Sequence, residues 1–193
     1  MALALIAYDL AKGRLPPAVV YGSQDEPLYS WRVLLLPFIE EEPLYDSFRL
    51  DEPWDSPHNL ALLPRMPAAY APPGGKRWRV PRHNTVCQVF VGPGAAFDGH
   101  EGLRVARDFP DGTDRTFLVV EAGEPIPWTK PGDLAFDPSG PLPDLSCLFD
   151  DGFRAAMADG SVRFVRKEIR ETTVRALVTR NGGEVLGDDW ERM

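Results

Sequence analysis

Apolar residues recur at helical spacing in three places along the chain. Trp31, Leu34, Leu35 and Phe38 stand at i, i+3, i+4 and i+7, which predicts a helix from Trp31 with Ser30 as its N-cap. Pro37 falls inside that helix, where a missing N–H predicts a kink, and Glu40, Glu41 and Glu42 follow as a solvated acidic run. Leu3, Ile6 and Leu10 predict a short amphipathic helix over 1–12, ended by Gly13. Val174, Leu177 and Val178 predict another, capped by Thr172 and stopped at Asn181-Gly182-Gly183. A fourth helix is predicted from Pro57, with Asp55 or Ser56 as N-cap; it runs through Leu60, Leu62 and Leu63 to Pro64.

The pattern changes to strands elsewhere. Thr85 to Val91 and Thr116 to Glu121 are β-branched and aromatic runs bounded by turn residues, and Leu15 to Tyr21 reads as an edge strand. Phe153 to Lys167 reads as a hairpin turning at Asp159-Gly160. A two-residue type I′ turn there pairs 158 with 161 and 157 with 162. That register puts Phe153, Ala155, Met157, Val162 and Phe164 on one face, with Arg154, Ala156, Ala158, Ser161, Arg163 and Val165 on the other. Asp159 and Gly160 are then turn residues. The segments 66–82 and 123–146 read as long loops. Runs of strands with segregated helices predict an α+β fold, short helices packed on an antiparallel sheet, in a single domain over 1–193.

Composition agrees with one packed unit, since 193 residues at 44% hydrophobic content can fill a core. Twenty prolines and 17 glycines predict much irregular surface. A net charge of −8 argues against nucleic acid as partner, whose phosphates need clustered Lys and Arg. Cys87 and Cys147 are compatible with a disulfide or with two separate buried thiols. The opening MALALIAYDLAK is shorter than the ~20 apolar residues of a membrane span and lacks the basic start of a signal peptide. No membrane contact is expected of the chain as it stands.

Catalytic patterns are missing from the sequence: no Gly-x-Ser-x-Gly, no phosphate-cradling loop, no His-Glu-x-x-His and no Cys-x-x-Cys. His58, His83 and His100 are scattered, and His83 with Cys87 straddles a strand start, where such a pair lies about 13 Å apart. Asp133, Asp137 and Asp144 offer carboxylates to calcium, yet their spacing matches no EF-hand loop. The expectation is a non-enzymatic protein with no metal site and no cofactor. Lys76, Arg77, Arg79 and Arg82 around Trp78 read either as an interaction loop for an acidic neighbour or as a solvated connector. Trp54, Trp78 and Trp128 support a second reading, an extracytoplasmic module that binds a solute or polymer in an aromatic cleft.

Several blocks carry a family resemblance. SWRVLLLPFIE over Ser30 to Glu40, PWDSPHN over Pro53 to Asn59, QVFVGPGAAF, FPDGTDRTFLVVEA and IPWTKP occur in that order, followed by ADGSVRFVRK and RALVTRNGGEV. From about Leu10 to Trp190 the chain resembles a planctomycete-type family of prepilin-like proteins, mostly of unknown function. Members typically carry His, nine residues, then Asp-Gly; here Asp159-Gly160 match and Phe149 replaces the histidine. The matching residues Ser30, Trp31, Arg32, Trp54, Asp55, His58, Asn59, Asp159 and Gly160 are expected to be structural. The resemblance implies a pilin-like head whose residues 1–13 are the remnant of a longer N-terminal helix that anchors relatives in the membrane. It implies a pilin-like or pseudopilin-like structural subunit of the cell envelope, with copies of itself or similar subunits as partners.

Overall fold

The computed structural model describes residues 1–72, 80–99, 101–146 and 148–191. Lys76, Arg77, Trp78 and Arg79 of the basic loop, His100, and Cys147 with its pairing to Cys87 lie outside the described residues. The fold is α+β. Helix α1 (Ala2–Lys12) leads into a hairpin of β1 (Val19–Tyr21) and β2 (Pro27–Ser30), then the short helices α2 (Trp31–Leu34), α3 (Glu42–Tyr45) and α4 (Pro57–Leu60). Next come β3 (Asn84–Gln88), β4 (Phe90–Val91), α5 (Val105–Asp108), β5 (Phe117–Pro127), β6 (Leu134–Ala135), β7 (Gly152–Met157) and β8 (Val162–Arg166). Helices α6 (Glu171–Val178) and α7 (Asp188–Glu191) close the chain.

The main sheet is antiparallel in the order β3-β5-β7-β8, and β4 pairs with β6 in a separate parallel bridge. One face of the sheet packs on α6, where Val174 and Leu177 meet Phe117, Val120, Phe153, Met157 and Val165. The other is covered by α1, whose Leu5 joins Leu15, Trp31, Leu35, Phe97 and Leu118. A third cluster lies under the helical segment, with Trp128, Tyr70, Val33, Leu36, Leu44 and Phe48. β5 runs on through Pro127, so 123–127, expected in a loop, is strand. A bulge opens between Glu121 and Ile126; the buried Gln88 Nε2 bridges it, donating to the carbonyls of Ala122 at 2.8 Å and Glu124 at 2.9 Å.

Three local expectations are corrected. The hairpin turns at Asp159-Gly160, but its register is Ala156↔Val162 and Phe153↔Val165, one residue away from a two-residue turn. Met157 N–H donates to Ser161 O, and Gly160 N–H to Met157 O. The loop is therefore three residues, Ala158 to Gly160, with Gly160 at φ 88° forming the bulge that follows a type I turn. That single-residue shift reverses β8: Val165 is buried, while Val162 is 65% exposed and Phe164 lies at the surface.

The predicted helix from Trp31 ends after four residues and resumes as a 3-10 turn over Leu36–Ile39, with Pro37 in that turn's first positions, where its missing N–H costs nothing. Pro37 thus divides two elements and kinks neither. In α1 the inward face is Ala2, Leu5 and Asp9, not the Leu3, Ile6 and Leu10 stripe; Leu3 and Leu10 are 72% and 81% exposed. The α1 terminus itself follows the sequence, with Gly13 at φ 78° donating to Asp9 O at 2.7 Å. Of the described helices, none is long and apolar enough to cross a membrane.

Candidate functional site

The block Ser30-Trp31-Arg32 builds a buried polar centre. Ser30 ends β2, and its hydroxyl caps α2 by accepting from Arg32 N–H. Arg32 is wholly buried. Its guanidinium donates to Ser30 Oγ at 2.6 Å, to Cys87 O at 2.6 and 2.9 Å, and to Asp133 Oδ1 at 2.7 Å. Trp31 Nε1 and Val89 N–H donate to the same carboxylate oxygen, at 3.3 and 3.0 Å. Tyr70 Oη donates to Arg32 O and Thr85 Oγ1 to Tyr70 O, each at 2.7 Å, so the polar chain crosses from α2 to β3. Burial pushes the Asp133 carboxyl up, opposed by the adjacent Arg32 cation and the donors around it. Arg32 and Asp133 have no access to solvent. Such a pair ties three segments of chain together, and although Asp133 Oδ2 has no hydrogen-bond partner it is buried with the pair, where no substrate reaches it.

The block Trp54 to Asn59 has the same character. Ser56 Oγ caps α4 by accepting from Asn59 N–H, so of the two candidate caps the serine holds it, with Pro57 in the first turn. Asp55 is exposed beside it. Asn59 is completely buried; its Nδ2 donates to the carbonyls of Arg49, Glu52 and Pro53, and its Oδ1 accepts from Arg49 N–H. His58 Nε2 lies 2.9 Å from Ser47 O, a contact that holds the 46–59 loop. Trp54 is half-buried with Lys130 over its ring.

The other residues singled out in the sequence are dispersed. Trp128 is fully buried, stacked on Tyr70 at 5.6 Å with its Nε1 donating to Leu63 O, so it cannot line a binding cleft. The tryptophan-cleft reading loses that wall, and Trp78 lies outside the described residues. Asp133 belongs to Arg32. Asp137 and Asp144 each close a local turn, accepting from Ser139 N–H and Ser146 N–H. Asp159 Oδ1 accepts from Ser161 N–H at 2.8 Å, a turn-forming bond, and Gly160 supplies the left-handed backbone. Phe149, at the position of the family histidine, packs edge-on against Phe164 at 5.5 Å with Arg154 over its ring.

Ionisable groups do meet in a groove of about 310 Å³ on the sheet face beside the start of α1, bordered by Cys87, Glu121 and Arg154. Arg154 Nε is 3.1 Å from Glu121 Oε2, a charge contact and not an aligned hydrogen bond. Burial pushes the Glu121 carboxyl up against the pull of Arg154, and burial likewise pushes the Cys87 thiol up. A thiol held neutral is a poor nucleophile. Sequence reading singled out Asp133 only as a carboxylate and not as the partner of Arg32, and it missed Tyr70 and the Glu121–Arg154 pair. Glu121 and Arg154 face each other across neighbouring strands, a relation visible only once the β5–β7 register is known.

A family model described as "Protein of unknown function (DUF1559)" matches residues 1–97, half of the chain, and the chain belongs to that family. The matched residues include both the Ser30 and the Trp54 blocks and stop short of Phe149 and Asp159-Gly160. No curated protein and no solved structure matches the chain.

Proposed function

We propose that this protein is a pilin-like or pseudopilin-like structural subunit of the cell envelope, without catalytic turnover. One observation carries the reading: the buried polar side chains of its signature blocks, above all Arg32 and Asn59, make their hydrogen bonds inside the fold. A catalytic site brings a nucleophile, a base and an orienting group together in a pocket, and neither block does so. Support also comes from α1, which leaves Leu3 and Leu10 exposed one above the other, a stripe suited to an apolar surface on a neighbouring subunit. The partners are copies of this chain or similar subunits.

Fractionation of the source cells, with the protein followed by antibody, tests this. The expected result is protein in the envelope fraction and cross-linked multimers from a Leu10→Cys variant treated with a short bismaleimide. Protein confined to the soluble cytoplasmic fraction as an uncross-linked monomer overturns the reading.

A further inference from the structure

A second cavity, of about 320 Å³, lies at the open end of the β7–β8 hairpin, away from the groove beside α1. Its walls are apolar: Leu142 and Leu145 on one side, Phe153, Ile169 and Val174 on the other. Phe153 and Val174 are core residues, so the floor is rigid. The opposite wall is tied down by Arg175, which donates to Gly140 O at 2.6 Å and reaches the carbonyls of Asp137 and Pro138. Arg166 and Lys167 stand at the mouth. Among the described residues Arg166 has no ion pair and no side-chain hydrogen bond, while Lys167 Nζ has only a long bond of 3.3 Å to Asp150 O. Two acids also border the cavity, Asp150 and Glu171. Glu171 is committed to Arg175 at 2.7 Å. With Glu171 paired to Arg175, Arg166 and Lys167 stand against the single carboxylate of Asp150, which leaves the mouth net positive above an apolar interior.

We propose that this cavity binds a small amphipathic carboxylate, its hydrocarbon body against Leu142, Leu145, Phe153, Ile169 and Val174 and its carboxylate at Arg166 and Lys167. The volume is at the lower end of ligand pockets, and apolar walls with a few polar groups at one end are the usual composition of such sites. Arg166 offers a planar fork that matches a carboxylate, and Lys167 adds a second positive charge beside it. A chain of about ten carbons is the natural probe for a cavity of this size.

The test is calorimetric titration of the full chain with decanoate below its micellar range, with decyltrimethylammonium as the probe of opposite charge. Saturable one-to-one binding of decanoate is expected, together with shifted amide resonances at Phe153, Ile169 and Val174 and far weaker binding of the cation. Arg166→Glu/Lys167→Glu changes two exposed side chains and is expected to weaken decanoate binding by about tenfold or more without altering the thermal midpoint. Ile169→Trp, which fills the cavity from a partly buried position, is expected to abolish it. Absence of saturable binding, equal affinity for the two probes, or indifference to the charge reversal each overturns the proposal.

Discussion

At the scale of single residues, Arg32 and Asp133 dominate. Removing one member of a buried ion pair leaves the other charge desolvated and unpaired, a loss of about 3–5 kcal/mol. Asp133→Ala is accordingly expected to lower unfolding free energy by that order in urea titrations, and Arg32→Met by a similar amount. Replacing both, as Arg32→Met/Asp133→Leu, is expected to cost less than the sum of the single changes, because neither charge is then stranded. Strict additivity would mean that the two side chains do not act as a pair. Of the network around this pair, only the Ser30 end was legible in the sequence. Ser30 announced itself as a cap because capping is local chemistry, whereas Asp133 stands 101 positions from Arg32 in a stretch whose carboxylates suggested a cation. Asn59 was legible by position but not by role, since its three carbonyl partners are set by how the loop over 49–53 closes.

At the scale of elements, the hairpin shows where local reading reaches its end. Asp-Gly fits a two-residue turn and equally the last two places of a three-residue loop. The alternation in Val162-Arg163-Phe164-Val165 offers apolar residues to both faces, so the pattern does not choose a register. Packing decides it: Val165 goes into the cluster under α6 with Phe153 and Met157. Gly160 then sits at φ 88°, and a Cβ there would come within 3.1 Å of Leu3 and 3.4 Å of Ile6 on α1. Gly160→Ala is expected to cost about 1–2 kcal/mol from backbone strain, measured as a shift in urea midpoint. An unchanged midpoint would show that the turn is not held in this conformation. The α1 face was misread for a related reason. Its apolar residues run nearly all round the helix, and only tertiary contact selects Leu5 over Leu3 and Leu10 as the buried side.

The junction of α6 and α7 carries a pH dependence. Asp189 accepts from Arg170 N–H and its guanidinium, each at 2.8 Å, and from Thr173 Oγ1 at 2.9 Å, which holds its carboxyl well below the usual carboxylate range. A carboxyl with a lower pKa folded than unfolded stabilises above the unfolded value, near 4, and that contribution fades as pH falls through the folded value. Wild type is therefore expected to exceed Asp189→Asn in urea midpoint at pH 7, with the gap narrowing progressively below about pH 4. A gap independent of pH would contradict this assignment.

At the scale of the whole molecule, the α+β class and the placing of helices against an antiparallel sheet follow from the sequence because helical and strand periodicities are segregated along it. The helical segment over 31–65 proved more broken than its apolar spacing suggested, since Pro37 and Pro64 each open a separate 3-10 turn, while Ser30 and Ser56 cap the single turns α2 and α4. What joins the body is polar. Arg32 reaches from the helical segment to the β3 carbonyl of Cys87 and to Asp133 beyond β5, a junction at which the clusters beneath α1 and around Trp128 meet. Such a cross-tie adds directional bonds between layers otherwise joined by apolar contact.

Native-state hydrogen exchange tests that claim most directly. Val89 N–H bonds to Asp133 Oδ1, Trp31 N–H to Ala18 O and Trp128 N–H to His83 O, so these three amides report on separate parts of the cross-tied body. The account predicts that all three exchange through one opening reaction with a common free energy equal to that of global unfolding, and that Asp133→Ala splits them into separate, weaker openings. Exchange of Trp31 and Trp128 through local openings in the wild-type protein, while Val89 stays protected to the global limit, would contradict it.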